Sequence, residues 1–248
     1  MPDNNTDVVV SLSTSIIQAG AFADLFSNAL AQLPQNSLVD IEINIGPGNI
    51  TIEAGAFQQS LTGTLSNGIT LNQAAFTFDA QSIPTLGSNV MAGLPVKTLV
   101  LPANTILQAN ALQNLQALQY LNASQLVNPI GTNAMNLQRA NTASLILALP
   151  SSPSVTYASG AITIPPTGMT GTTTLVFNGA FPDIATLSDM FTVNASVTAP
   201  IQITVNYANT SSATSQQFLA LQNSLTTATS GTPVAVSFNA VQNTLNGL

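Results

Sequence analysis

Asp40 and Glu42 stand two residues apart in the run Val39-Asp40-Ile41-Glu42-Ile43-Asn44-Ile45. If that run is a strand, both carboxylates share one face. Such a pair can offer oxygen ligands to a hard cation such as Ca²⁺, or act as acid and base. Glu53 is expected near them in the following coil, giving a small acidic patch. Asp183 and Asp189 form a second pair, flanking a short stretch with helical spacing in which Asp183 suits the N-cap position. Two carboxylates can hydrolyse a glycoside, but nothing around these pairs builds a sugar cleft. There is no Trp, and Tyr occurs only at Tyr120, Tyr157 and Tyr207. The plainer reading holds for both pairs: a solvated strand face for Asp40 and Glu42, and capping for Asp183. Lys97 and Arg139 are solitary cations, each read as exposed.

The absent residue types exclude more than the present ones suggest. The chain has 248 residues, no Cys, no His and no Trp. Cys or His zinc sites, thiolate nucleophiles, Ser-His-Asp triads and disulfides are therefore ruled out. Two basic residues cannot release many counterions, so no nucleic-acid partner is expected. No catalytic, cofactor-binding or metal-binding residue is assigned, no cofactor is expected, and the chain is not read as an enzyme.

Charged residues make up 4% of the chain, and the net charge is −7. Ser, Thr, Asn and Gln fill about 96 positions, where an ordinary domain is about one-quarter charged. The surface must then be made of neutral amides and hydroxyls. It carries little of the repulsion that holds copies apart. Adaptation to acid is the bland account of such a surface; packing against further copies is the sharper one. No stretch approaches the length of a membrane-spanning helix. The opening, Met1 to Asp7, lacks the basic and apolar regions of a secretory signal.

One phrase recurs. It reads Ile16-Ile17-Gln18-Ala19-Gly20-Ala21-Phe22, then Ile50-Thr51-Ile52-Glu53-Ala54-Gly55-Ala56-Phe57, then Ile69-Thr70-Leu71-Asn72-Gln73-Ala74-Ala75-Phe76. Degenerate copies follow at Ile106 to Leu112 and at Ile130 to Met135. Between the copies lie β-type runs: 39–45, 96–102, 118–123 and 144–149. Leu99 lies 22 residues before Leu121, and Leu121 lies 24 before Leu145.

The unit Thr98-Leu99-Val100-Leu101-Pro102, followed by Ile106-Leu107-Gln108-Ala109-Asn110-Ala111-Leu112, resembles the BspA-like leucine-rich repeat family. The resemblance covers roughly residues 16–150. Leu112 and Met135 stand where that family has Phe, and the family's frequent Cys is missing. The resemblance implies a mainly β, leucine-rich-repeat-like solenoid with short helical caps. Single units of this kind cannot bury their own apolar face, and stacking creates a continuous core. Phe22, Phe57 and Phe76 are the expected core fillers.

A helix is expected over 22–33, stopped by Pro34, and a less regular one over 214–227. Pro150-Ser151-Ser152-Pro153 marks a boundary. It divides a solenoid with an N-terminal capping helix (1–150) from a β-rich continuation or C-terminal cap (151–248), with strands at 172–177, 191–197, 201–207 and 234–238. Regular Thr arrays can order ice, but Thr is not regularly placed here.

The expected function is structural: self-assembly into a filament, sheet or crystalline array through neutral faces, outside the cell or at its surface. The partner is then the protein itself. The alternative is a monomeric surface adhesin that binds a ligand on its concave repeat face.

Overall fold

The computed structural model describes residues 5–23, 32–58, 68–137, 145–150, 155–164, 173–177, 191–193, 202–207 and 235–240. The protein is mainly β, with parallel sheets. In chain order the strands are β1 (Asn5–Leu12), β2 (Ile16–Ile17), β3 (Leu38–Ile45), β4 (Gly48–Ile52), β5 (Thr70–Phe78) and β6 (Ser82–Leu86). Next come β7 (Thr98–Val100), β8 (Ile106–Leu107), β9 (Tyr120–Asn122), β10 (Met135–Asn136) and β11 (Leu145–Leu149). The last are β12 (Ile162–Ile164), β13 (Thr173–Phe177), β14 (Phe191–Val193), β15 (Gln202–Tyr207) and β16 (Ala235–Ala240). No described helix is long and apolar enough to cross a membrane.

The strands form four parallel sheets, ordered β1-β3-β5, β7-β9-β11-β13-β15-β16, β2-β4-β6-β8 and β10-β12-β14. A single parallel bridge, Ala74 to Val96, joins the first sheet to the second. Together these two make one ladder of parallel strands running from β1 to β16.

The expected strand over 39–45 is the clearest case of pattern becoming structure. In β3, Val39, Ile41, Ile43 and Ile45 are buried, while Asp40, Glu42 and Asn44 lie on the other face. Period-two alternation forces that division. In the six-stranded sheet the same logic works across strands. Register aligns Leu99, Leu121, Leu147 and Leu175 in one row, and all four are buried. Leu121 therefore pairs with Leu147, two residues beyond the spacing read from sequence. The intervening chain is too variable in length for spacing alone to fix the partner. Val205 and Phe238 occupy the next positions of the row by register.

The second recurring element is a turn. Backbone N–H groups of Ala21, Ala56, Ala111, Ala134 and Ala161 each donate to the carbonyl three residues earlier. The residue before each of these alanines has positive φ: Gly20, Gly55, Asn110, Asn133 and Gly160. Asn89 sits at the matching place before Val90. Glycine reaches this left-handed region without steric cost, and Asn tolerates it better than other side chains. The turns are themselves laddered. Gly20 N–H donates to Gly55 O, Gly55 to Ser88, Asn89 to Asn110, Asn110 to Asn133, and Asn133 to Gly160.

This settles which phrases are equivalent. Leu86-Gly87-Ser88-Asn89-Val90-Met91 is a true copy, with Leu86 paired between Ile52 and Leu107. Ile69 to Phe76 is not. Its residues 70–76 belong to β5, which pairs with β3. The phrase shares Ala-Phe lettering but has Ala74 where the turn needs Gly or Asn.

The expected core fillers are buried. Phe57 packs edge-on against Phe22 (6.1 Å between ring centres) and Phe76 (5.2 Å). Phe22 and Phe57 come from turns and Phe76 from β5, so the row of rings ties a turn ladder to a strand ladder. Edge-to-face pairs add about 1 kcal/mol beyond area burial.

Of the N-terminal helix expected over 22–33, residues 21–23 form a helical turn; 24–31 lie outside the described residues. The stretches 178–190 and 214–227 also lie outside them. Strands are found at the places expected after 150, as β13, β14, β15 and β16; of the stretch 191–197 only 191–193 is described. Pairing of β11 with β13 and of β10 with β12 spans the sequence boundary at 150–153.

Candidate functional site

The carboxylates sort by sheet. Asp40 and Glu42 share the outer face of β3, as strand alternation requires; Asp40 is half-buried and Glu42 exposed. One extra residue in β5, Asn72, breaks the register between Val39 and Asp40. The bulge aims the Asn72 amide at the neighbouring strand, where its Nδ2 donates to Asp40 Oδ1 at 2.8 Å. On the other side, register sets Asp7 of β1 directly beside Asp40. That partnership spans 33 residues of sequence and was not visible in any local spacing.

Glu53 does not join this group. It follows β4, in the four-stranded sheet, and its Oε2 accepts the Ala19 N–H at 3.0 Å. Its own N–H donates to Ile17 O at 2.9 Å. Glu53 thus fastens the first turn to the second. Among the described residues, no three carboxylates converge to hold a metal ion. Asp183, Asp189 and Arg139 lie outside the described residues. Lys97 is exposed, and its carbonyl accepts the N–H groups of Gln119 (2.8 Å) and Tyr120 (3.0 Å).

A carboxylate that the sequence did not single out, Asp79, occupies the turn after β5. Its Oδ1 accepts the Gln81 N–H at 2.8 Å, and its carbonyl accepts the Ser82 N–H at 2.9 Å. Asp79 borders two depressions at the ends of the parallel strands. The larger, about 520 Å³, is lined by Phe76 to Ala80, Val100 to Ala103 and Gln125. The smaller, about 300 Å³, lies among Ser11–Ser13, Asn44–Gly46 and Thr77–Asp79. They meet at Thr77, Phe78 and Asp79. The larger opens where β5, nine residues long, adjoins β7, only three long.

The six-stranded sheet presents a different outer face. Two rows run across its strands by register. One holds Thr98, Tyr120, Ile146 and Thr174; the other holds Val100, Asn122, Ala148 and Val176. None of these is charged. Thr204 and Ser237 extend the first row by register, and Asn206 and Asn239 the second.

The turn ladder carries amide pairs as well. Asn114 Nδ2 donates to Asn89 Oδ1 (3.3 Å), Asn136 Nδ2 to Asn110 Oδ1 (3.1 Å), and Thr163 Oγ1 to Asn133 Oδ1 (3.2 Å). Each bond joins one turn to a later segment. Asn136 is buried, and its Oδ1 has no hydrogen-bond partner. Tyr157 pairs with Ile130 through an isolated bridge, and its hydroxyl donates to Pro150 O at 2.8 Å. Burial pushes its phenol well above the ordinary value of 10.0.

Asparagine thus fixes backbone and inter-turn contacts here; among the described carboxylates Asp7, Asp40 and Glu42 share the first sheet, while Glu53 and Asp79 stand apart in turns. No family model, curated protein or solved structure matches the chain.

Proposed function

We propose that this chain is a structural protein that assembles with copies of itself into a filament, sheet or crystalline array, outside the cell or at its surface. In this reading the parallel ladders are the walls of a leucine-rich-repeat-like solenoid of the BspA-like kind. The observation that carries the reading is the uncharged outer face of the six-stranded sheet. Two such faces can meet without desolvating a charge, which is costly when the charge is unpaired. Exposed Val100 and Ile146 add apolar area to a face that also carries Thr98, Tyr120, Asn122, Ala148, Thr174 and Val176. No catalytic role is proposed, because among the described residues no three carboxylates converge on one point.

Negative-stain electron microscopy of the concentrated, untagged chain tests this. Ordered filaments or sheets are expected. Dispersed single particles at high concentration overturn the reading.

The depressions beside Asp79 favour the second reading, a monomeric surface binding module. It predicts a monomer at all concentrations that captures a matrix ligand, and loses it when Asp79 is replaced by Asn.

A further inference from the structure

We infer that copies join head to tail, with β1 of one copy pairing in parallel with β16 of the next. This rests on the self-assembly reading and specifies its geometry. Every pairing in the ladder from β1 to β16 is parallel. Its two ends are therefore the opposite outer edges of the two sheets that the Ala74–Val96 bridge joins. A translated copy presents to β1 the kind of neighbour that β3 already has on that side. No rotation to an antiparallel arrangement is needed. An interface between unlike edges is heterologous, and when successive copies are related by translation along the ladder it propagates as an open filament rather than closing into a ring.

Three observations mark β1 as an edge awaiting a strand. Among the described residues it pairs with β3 alone. Its inward positions Val8, Val10 and Leu12 pack on the core yet remain half-exposed, while the corresponding Ile41, Ile43 and Ile45 of β3 are fully buried. The Leu12 carbonyl accepts the Gly46 N–H at 2.8 Å. By alternation, the N–H and C=O groups of Asp7, Val9 and Ser11 then point to the free side. Charge does not oppose the match. Asp7 is the one charged residue within β1, and β16, Ala-Val-Ser-Phe-Asn-Ala, carries none.

The axial repeat follows. The ladder has three strands in its first sheet and six in its second. At about 4.8 Å per strand the next copy begins about 43 Å along the axis.

Val9→Pro is the discriminating variant. Its N–H lies on the free side, so proline removes an edge donor and leaves the β1–β3 bonds intact; free edges tolerate proline. Wild-type filaments with a repeat near 43 Å are expected. Val9→Pro should keep the wild-type circular dichroism spectrum and fail to elongate. Added at substoichiometric ratio, it should shorten wild-type filaments, because its intact β16 end caps a growing tip. If Val9→Pro does not fold, Val9→Lys keeps the N–H, charges the edge and should raise the critical concentration several-fold. Variant filaments as long as wild type, or a repeat unrelated to 43 Å, overturn the head-to-tail pairing and leave self-assembly standing. Absence of any high-mass species from the wild type removes both.

Discussion

Two stretches of the long ladder solve the same packing problem with different surfaces. In β1, β3 and β5 the strands are eight or nine residues long, and the outer face carries Asp7, Asp40 and Glu42. In β7, β9 and β11 they are three to five residues long, and the outer face is neutral. Inside, both halves bury apolar rows: Ile41, Ile43 and Ile45 in the first, and Leu99, Leu121 and Leu147 in the second. Core and surface are thus specified separately. The interior sets the stacking, and the exterior decides what each stretch of sheet can touch. Like charges beside one another on β1 and β3 discourage lateral contact at that end. The neutral sheet has no such barrier.

The largest test of this contrast lies in the interior. Phe57→Ala removes the ring that touches both Phe22 and Phe76. It should cost about 3–5 kcal/mol in urea unfolding, as for other buried aromatic truncations. Leu121→Ala, in the neutral half, should cost about 2–5 kcal/mol. Native-state hydrogen exchange should place each loss in its own half. Equal, uniform loss of protection from both would make the two regions one cooperative unit and dissolve the comparison.

A smaller effect is expected at Tyr157. Its raised phenol pKa means that the folded form keeps its proton after the unfolded chain has lost it. That contribution is present in full below the ordinary value of 10.0 and is lost as the pH rises above it. Tyr157→Phe should cost about 1 kcal/mol at neutral pH through the bond to Pro150. It should also flatten the decline of stability between pH 10 and 11, which a pH series of urea melts will read.

The smallest effect separates the outer faces directly. Asp7→Asn removes one of two adjacent like charges while sparing the Asp40–Asn72 bond. It should stabilise the chain by less than about 0.5 kcal/mol at low salt, and the gain should vanish in high salt. Thr98→Ser on the neutral face should show no salt dependence. Unfolding at two ionic strengths checks both.

Much of this architecture was legible in the residues. Alternation in 39–45 found β3, and the Gly-Ala-Phe phrases found the first two turns. What escaped was governed by backbone conformation rather than by lettering. Leu86 to Met91 was missed because its shared feature is an Asn at positive φ, in a copy lacking Ala-Phe. Ile69 to Phe76 was misassigned because its letters matched while Ala74, at the turn position, disfavours the left-handed region. The candidate carboxylates fared similarly. Asp40 and Glu42 share a face because alternation is local. Asp7 joins Asp40 only through a distant register, and the Asp79 depressions are made by turns that no spacing brings together.

The stacked left-handed turns have one further consequence. Successive turn residues Gly20, Gly55, Asn89, Asn110, Asn133 and Gly160 are separated by as few as 21 and as many as 35 residues, yet hydrogen bonds link each turn to the next. The scaffold counts turns and strands, and it accommodates connecting loops of different length. Insertions placed in the loops that join strand to turn should therefore be carried as passengers, leaving the spacing of everything downstream unchanged. This makes those loops natural grafting points for foreign sequence, displayed at intervals set by the strand spacing.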